Sequence, residues 1–297
     1  MKTLEKTHDP LRRFLFLLLT LVSTVALAGY PLTVSDDLGR EVTLEAEPER
    51  IVSMLPSHTE VVCAVGACDK LVGVDDYSDF PLEVTSLPRL GGGLTGADVE
   101  AIIALEPDLV LASQYGELAE TLAGAGLTVY AGSSQSYEEA LAEFELLGRM
   151  VGREEEGALL AERVRSEVEE VAALTASQEA PRVYYEIDPT PYSVGPGSFM
   201  GVLIAKAGGD NIVGEEMGDF PQLDPEFVVA SDPEVIVVGE FSAGELPQRP
   251  GWEAVTAVGE GRVVALSLEE STLVSRPGPR MAEAVRLFAR LFHPELF

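Results

Sequence analysis

The stretch SMLPSHTEVVCAVGACDK, residues 53–70, brings together a hydroxyl, an imidazole, a carboxyl and both cysteines of the chain: Ser57, His58, Glu60, Cys63 and Cys68. A secreted hydrolase would use Ser57 as nucleophile, His58 as base and an acid to orient the imidazole. No G-x-S-x-G elbow surrounds Ser57, and the other histidines are His8 and His293, near the two ends of the chain. Neighbouring side chains at a helix start also do not face one another as nucleophile and base. A metal centre would need several His, Cys or carboxylate groups converging on one point, and a lone histidine in an acid-rich chain does not specify one. The spacing instead fits a helix start. Ser57-x-x-Glu60 before an apolar run has the form of a capping box, with Ser57 accepting from the Glu60 amide and Glu60 reaching back. A helix that starts after a parallel strand points its free amides into the crevice at the carboxyl edge of the sheet, so His58 is expected to look toward that crevice and is a candidate ligand contact. Gly66 is placed to end the helix between Cys63 and Cys68, which leaves both a disulfide and free thiols open.

The elements that would position these groups alternate. IVSML (51–55), LVGV (71–74), DLVLA (108–112) and LTVYA (127–131) are strand-like, separated by helical runs at 59–65, 99–105 and 117–125. Strands alternating with helices predict a parallel sheet. Residues 136–177 read as helix almost throughout, divided by glycines, with the part from Glu154 to Leu174 long enough for roughly 30 Å. RVYYEI (182–187), VIVV (235–238) and RVVAL (262–266) begin a second series, closed by an amphipathic helix at 281–291. VEAIIALEPDLVL (99–111) and PEFVVASDPEVIV (225–237) align without a gap, matching Glu100 with Glu226 and Pro107 with Pro233. The expected fold is α/β: two Rossmann-like lobes with parallel sheets joined by a single long backbone helix, with a ligand cleft between the lobes. The divisions expected are a signal peptide at 1–28, an N-terminal lobe at 29–150, a linking helix at 151–178 and a C-terminal lobe at 179–297.

The signal peptide rests on a basic start (Lys2, Lys6, Arg12, Arg13), the apolar run FLFLLLTLVSTVALA and the A-x-A site Ala26-Leu27-Ala28. No cysteine follows for a lipid anchor, so a protein outside the cytoplasm, without stable membrane insertion after cleavage, is expected. Removing residues 1–28, which carry a net +2, takes the formal charge from −30 to −32 and leaves Lys70 and Lys206 as the lysines. Such a surface repels nucleic acid and anionic membranes. The glycine-rich stretches at 91–93 and 195–198 lack the lysine of a phosphate loop and read as turns. Aromatics are more informative. Tyr77, Tyr192 and Phe220 fall on loops where flat apolar rings would face a ligand, whereas of Tyr184 and Tyr185, on one strand, at least one is core. Arg276, within SRPGPR, is a candidate for holding an anionic or amide-bearing group.

RIVSMLPSHTEVVCAVGACDKLVGVDDYSDFP, VEAIIALEPDLVL, GGDNIVG, FPQLDPEFVVASDPEVIVV and SRPGPR together resemble the helical-backbone substrate-binding proteins of ABC importers, and among them the cobalamin-binding members. The likeness runs from about Arg50 to Leu291. It implies a monomer that captures a corrinoid between two lobes with small closure movements and delivers it to a dimeric permease, with no resident cofactor, no metal and no enzymatic activity. Tyr77, Tyr192 and Phe220 fall where those members have aromatic cleft residues, and Arg276 where they have an arginine. Glu100 and Glu226 fall where the family has its permease-docking acids, one per lobe. The chain departs from the pattern at Leu94 and Ser113, where the cobalamin binders carry tryptophans; Tyr115 is a candidate substitute for one. Haem and ferric-siderophore binders of the same family are the alternatives, with Tyr77 or His58 as an axial ligand for haem and Arg89 or Arg276 for a siderophore.

Overall fold

The structure, a computed structural model, describes residues 29–92, 96–239, 244 and 246–297; the expected signal segment lies outside them. No helix among the described residues is long and apolar enough to cross a membrane.

A hairpin that sequence patterning did not reveal, β1 (Leu32–Ser35) with β2 (Glu41–Leu44), leads into the N-terminal lobe. Its strands are short, and its turn is held by Asp36, which accepts from the Leu38 and Arg40 amides and pairs with the Arg40 guanidinium at 2.6 Å. The first sheet is parallel, in the order β4-β3-β5-β6, from β3 (Ile51–Ser53), β4 (Leu71–Val74), β5 (Leu109–Ala112) and β6 (Val129–Ala131). Its central strands are buried along their length, as expected of short apolar runs covered on both faces. Helices α1 (Pro56–Ala64), α2 (Val99–Ala104) and α3 (Leu118–Gly124) connect them.

The expected helical stretch is two helices, α4 (Tyr137–Met150) and α5 (Glu154–Thr175), parted where Gly152 adopts φ +76°. α5 buries Gly157, Leu160, Ala161, Val164, Val168, Val171 and Thr175, a stripe of helical period, and spans about 33 Å. Gly148 and Gly157 let the two helices touch: a Cβ on Gly157 would lie 2.8 Å from the Phe144 carbonyl oxygen. The second sheet runs β11-β10-β7-β8, from β7 (Arg182–Asp188), β8 (Tyr192–Ser193), β10 (Val235–Gly239) and β11 (Val263–Leu266), with β9 (Asp210–Asn211) also on β7; β8 alone is antiparallel. Helices α6 (Phe199–Lys206), α7 (Pro225–Ser231), α8 (Thr256–Gly259), α9 (Leu268–Ser275) and α10 (Met281–Phe292) complete this lobe. One apolar cluster runs from the first sheet through α4 and α5 to α6, α10 and the second sheet, so the lobes share a core behind the cleft.

The internal echo is structural as well. α2 and α7 each end on a non-glycine residue in the left-handed region, Glu106 (φ +46°) and Asp232 (φ +47°), at the aligned position before a proline. In the first lobe Arg50 donates to the Leu105 and Glu106 carbonyls, and in the second Arg182 donates to those of Ser231 and Asp232. The Asp108 carboxylate accepts from the Arg50 amide, and the Glu234 carboxylate from the Arg182 amide. The same arginine latch, built from unequal neighbours, fixes the helix-to-strand turn in both lobes.

Candidate functional site

Contacts from the second lobe reach both ends of the carboxyl edge of the first sheet, past β6 and past β4. After β6, the Gln135 carbonyl accepts from the Phe199 amide at 3.1 Å, joining the loop past the first sheet to the start of α6. At the β4 end, the segment following α9 crosses to the first lobe. Arg276 Nη1 donates to Glu60 at 3.0 Å and to Asp79 at 2.6 Å, and its Nη2 donates to the Tyr77 carbonyl at 2.7 Å. Beside it, Arg280 lies 4.4 Å over the Phe80 ring. Ligand crevices in open α/β sheets form at such edges, where neighbouring strands send their connections opposite ways.

Aromatic rings are exposed in both lobes. Tyr77, after β4, is 68% exposed; Tyr115, after β5, and Phe220 are each 50% exposed; Tyr192, on β8, is 41% exposed. Tyr192 and Phe220 sit on adjoining segments, since Tyr192 pairs with Gln222 and the Ser193 amide donates to the Pro221 carbonyl. Single exposed apolar residues are ordinary on a protein surface. Tyr184 and Tyr185 are both core: the Tyr184 hydroxyl donates to Glu186 at 2.9 Å, and Tyr185 packs edge-on against Phe288. Ser113 is buried and accepts from the Tyr115 amide, orienting the turn that bears the Tyr115 ring, while Leu94 lies outside the described residues. Recesses of about 200 to 300 Å³ elsewhere, lined by Tyr30 and Arg149 or by Asp37 and Tyr130, include none of these exposed rings.

The loop bearing Tyr77 is fixed on every side. Asp75, 1% exposed, accepts from the Tyr77 amide at 3.0 Å and from the Ser78 hydroxyl. Ser78 shares a 2.8 Å hydrogen bond with Thr59, which bonds Ser53 at 2.9 Å. Arg89 Nη1 donates to the Asp75 and Ser78 carbonyls. Burial pushes the Asp75 carboxyl above its ordinary range, against the pull of these donors. Burial likewise raises Glu60, against the hydrogen bond and charge of Arg276.

Two expectations about the opening motif need correction. The capping box does not form: Pro56 occupies the first turn, Leu55 is the N-cap, and no side chain caps α1. Proline's fixed φ starts the helix two residues before the expected position, moving Ser57 and Glu60 off the capping positions. His58 does not reach the cleft. It is fully buried, its Nε2 2.9 Å from Glu143, whose other oxygen accepts from the Ser134 hydroxyl at 2.6 Å. Burial alone would raise Glu143, but the imidazole and hydroxyl outweigh it and hold the carboxyl below its ordinary value. With Nε2 engaged by Glu143, the imidazole is not positioned as a base for Ser57, and it offers a haem iron no exposed nitrogen. Arg276 crosses to the first lobe, where its guanidinium is committed to protein acceptors, and its side chain is 14% exposed.

Cys63 and Cys68 are joined in a disulfide, with Gly66 at φ +81° turning the chain between them. The grouping of Cys63, Cys68 and Glu83, with ligand atoms within 4.8 Å, therefore has both sulfurs already spent. Glu100 and Glu226 are exposed at matching places in the first turns of α2 and α7, each behind an aspartate N-cap, Asp98 and Asp224. Those capping aspartates satisfy helix amides, leaving the two glutamates to project.

Comparison with known proteins agrees with this architecture. The chain is 31% identical over 280 residues to an ABC transporter substrate-binding lipoprotein of Bacillus subtilis, covering 90% of this chain and 87% of the other. It is 30% identical over 281 residues to a cobalamin-binding protein of Halobacterium salinarum, covering 89% and 75%. The crystal structure of the periplasmic vitamin B12 binding protein of Vibrio cholerae superposes with a TM-score of 0.69 at 28% identity, covering 83% of this chain and 97% of that one. A periplasmic haem-binding protein from Roseiflexus superposes with a TM-score of 0.72 at 26% identity, covering 84% and 99%. The two-lobed α/β architecture, the rigid linking helix and a match to the family profile over residues 51–268 lead to one conclusion: the chain belongs to the periplasmic binding protein family.

Proposed function

We propose that this protein captures a corrinoid, cobalamin or a close relative, between its lobes outside the cytoplasm and delivers it to an ABC importer permease. The observation that carries the ligand class is the pairing of exposed rings with committed cations. Tyr77, Tyr115, Tyr192 and Phe220 offer flat apolar contact, while Arg276 is engaged by Glu60 and Asp79, Arg249 by Glu186, and Arg89 by loop carbonyls. Such a cleft suits a large flat ligand carrying neutral amides. It suits less well a ligand whose carboxylates must find cations, because drawing an arginine from a part-buried carboxylate leaves that carboxylate unpaired. Affinity then comes from burying ring faces between preformed lobes at little ordering cost, with no covalent step.

Haem is the second reading, supported by the exposed Tyr77 phenol and the likeness to a haem-binding structure. Isothermal titration of the ligand-free protein with cyanocobalamin, repeated with haemin as competitor, separates the two. Submicromolar cobalamin affinity that haemin does not displace is the expected result, and displacement by haemin would transfer the assignment to haem. Tyr77→Ala or Phe220→Ala is expected to weaken cobalamin about 30-fold each, on the order of 2 kcal/mol for a buried ring contact, with unfolding unchanged. Undiminished affinity in both variants would remove the cleft from consideration.

A further inference from the structure

Arg276 belongs to the second lobe, yet all three of its hydrogen-bond partners given above belong to the first. One of them is the main-chain carbonyl of Tyr77, whose ring is the most exposed of the cleft tyrosines and phenylalanine. Arg89 takes the carbonyls on either side, those of Asp75 and Ser78, from within the first lobe. We propose that Arg276 is a positioning residue acting across the cleft: it clamps the backbone of the 75–79 loop, so that the Tyr77 ring is presented only when the lobes stand at their observed separation. In this role it does not touch the ligand. It makes affinity at a ring in one lobe depend on a guanidinium from the other.

The geometry fits such a clamp. A planar guanidinium can serve carboxylates from one nitrogen and a carbonyl from the next, which a lysine ammonium cannot match. Glu60 is 4% exposed and lies on α1, a helix continuous with the lobe core, so the anchor for Arg276 is rigid. Gly278 lets the strap lie close, since a Cβ there would stand 3.3 Å from Glu60 Oε2. Arg280 over Phe80 gives the strap a second hold on the same loop.

The test has one arm independent of any ligand and one that rests on the corrinoid reading. In the ligand-free protein the amides of Asp75, Asp76 and Tyr77 are hydrogen-bonded, to the Ser53 carbonyl, the Gly91 carbonyl and the Asp75 carboxylate, so their hydrogen exchange reports on the loop. Arg276→Ala is expected to speed exchange at these amides about tenfold while α5 keeps its protection, because hydrogen bonds from a charged donor are lost locally. Exchange unchanged at these sites would overturn the clamp. In cyanocobalamin titrations, Arg276→Ala should weaken binding, and adding it to Tyr77→Ala should cost almost nothing more, since both act through one ring. Losses that multiply would show that Arg276 acts on the ligand by another route and would also overturn the proposal. If the wild-type protein does not bind cyanocobalamin, the corrinoid reading falls while the exchange arm still decides the clamp. Should Arg276→Ala fail to fold, Arg276→Lys keeps the charge beside Glu60 but cannot span both acceptor sets, and the same comparison applies.

Discussion

Replacing His58 with alanine is expected to cost about 3 to 5 kcal/mol of folding stability and to leave ligand affinity nearly unchanged. The imidazole is fully buried and meets Glu143, itself 7% exposed and also holding the Ser134 hydroxyl. Truncation therefore leaves a carboxylate inside the protein without its imidazole partner, beside a cavity where the ring stood. Glu143→Gln should cost less, because an amide keeps the shape and carries no charge to strand. Equilibrium unfolding in urea measures both, and equal stability of wild type and His58→Ala would mean that the pair is not formed in solution. The pH dependence has a definite sign. The folded-state carboxyl of Glu143 lies below its ordinary value of 4.5, so its contribution is present above that value and fades as the pH falls through the folded one. Glu143→Gln should therefore flatten the acid limb of the stability curve. A hydrolase centred on Ser57 would lose turnover with His58→Ala, whereas a binding protein in which His58 is structural would lose only stability.

The contrast between this histidine and the rings shows what the sequence revealed. Periodicity located the parallel strands and the long helix because short apolar runs and a 3.6-residue stripe depend on burial alone. The capping motif was misleading at one site out of those sharing its form. Ser136 with Glu139 and Ser267 with Glu270 do form capping boxes at the starts of α4 and α9, whereas Ser57 with Glu60 does not. The difference is Pro56, which set the helix start before the serine could. Once displaced, Glu60 became the anchor for Arg276, a partner 216 residues away, and His58 turned inward to Glu143, 85 residues away. No local pattern encodes partners so distant, and each replaced a local reading that was reasonable on its own terms. Tyr77 does lie exposed on a loop that follows a strand, as expected, whereas Tyr192 lies on the short strand β8 rather than on a loop, because its backbone pairs with β7. The hairpin β1–β2 was missed because strands of four residues joined by a charged turn carry little periodicity.

Replacing Glu100 and Glu226 together with alanine is expected to abolish productive docking on the permease while leaving ligand affinity intact. The two lobes repeat one unit: a helix capped by aspartate, a glutamate projecting from its first turn, a left-handed residue before proline, and an arginine latch beneath. Equivalent glutamates presented by equivalent units suit a partner that is itself two-fold, offering each lobe a basic site of the same shape. Loss of one buried interfacial charge pair costs on the order of 2 kcal/mol, about 30-fold in affinity, and the two losses should add because the glutamates lie in separate lobes with no shared contact. Binding of the protein to its permease in lipid nanodiscs measures this without reference to ligand identity, and uptake of labelled cobalamin measures its consequence. Single variants should be intermediate, and their similarity would itself reflect the repeat. A double variant that docks and transports like wild type would show that the projecting glutamates serve solubility alone, as they do elsewhere on a surface this acidic.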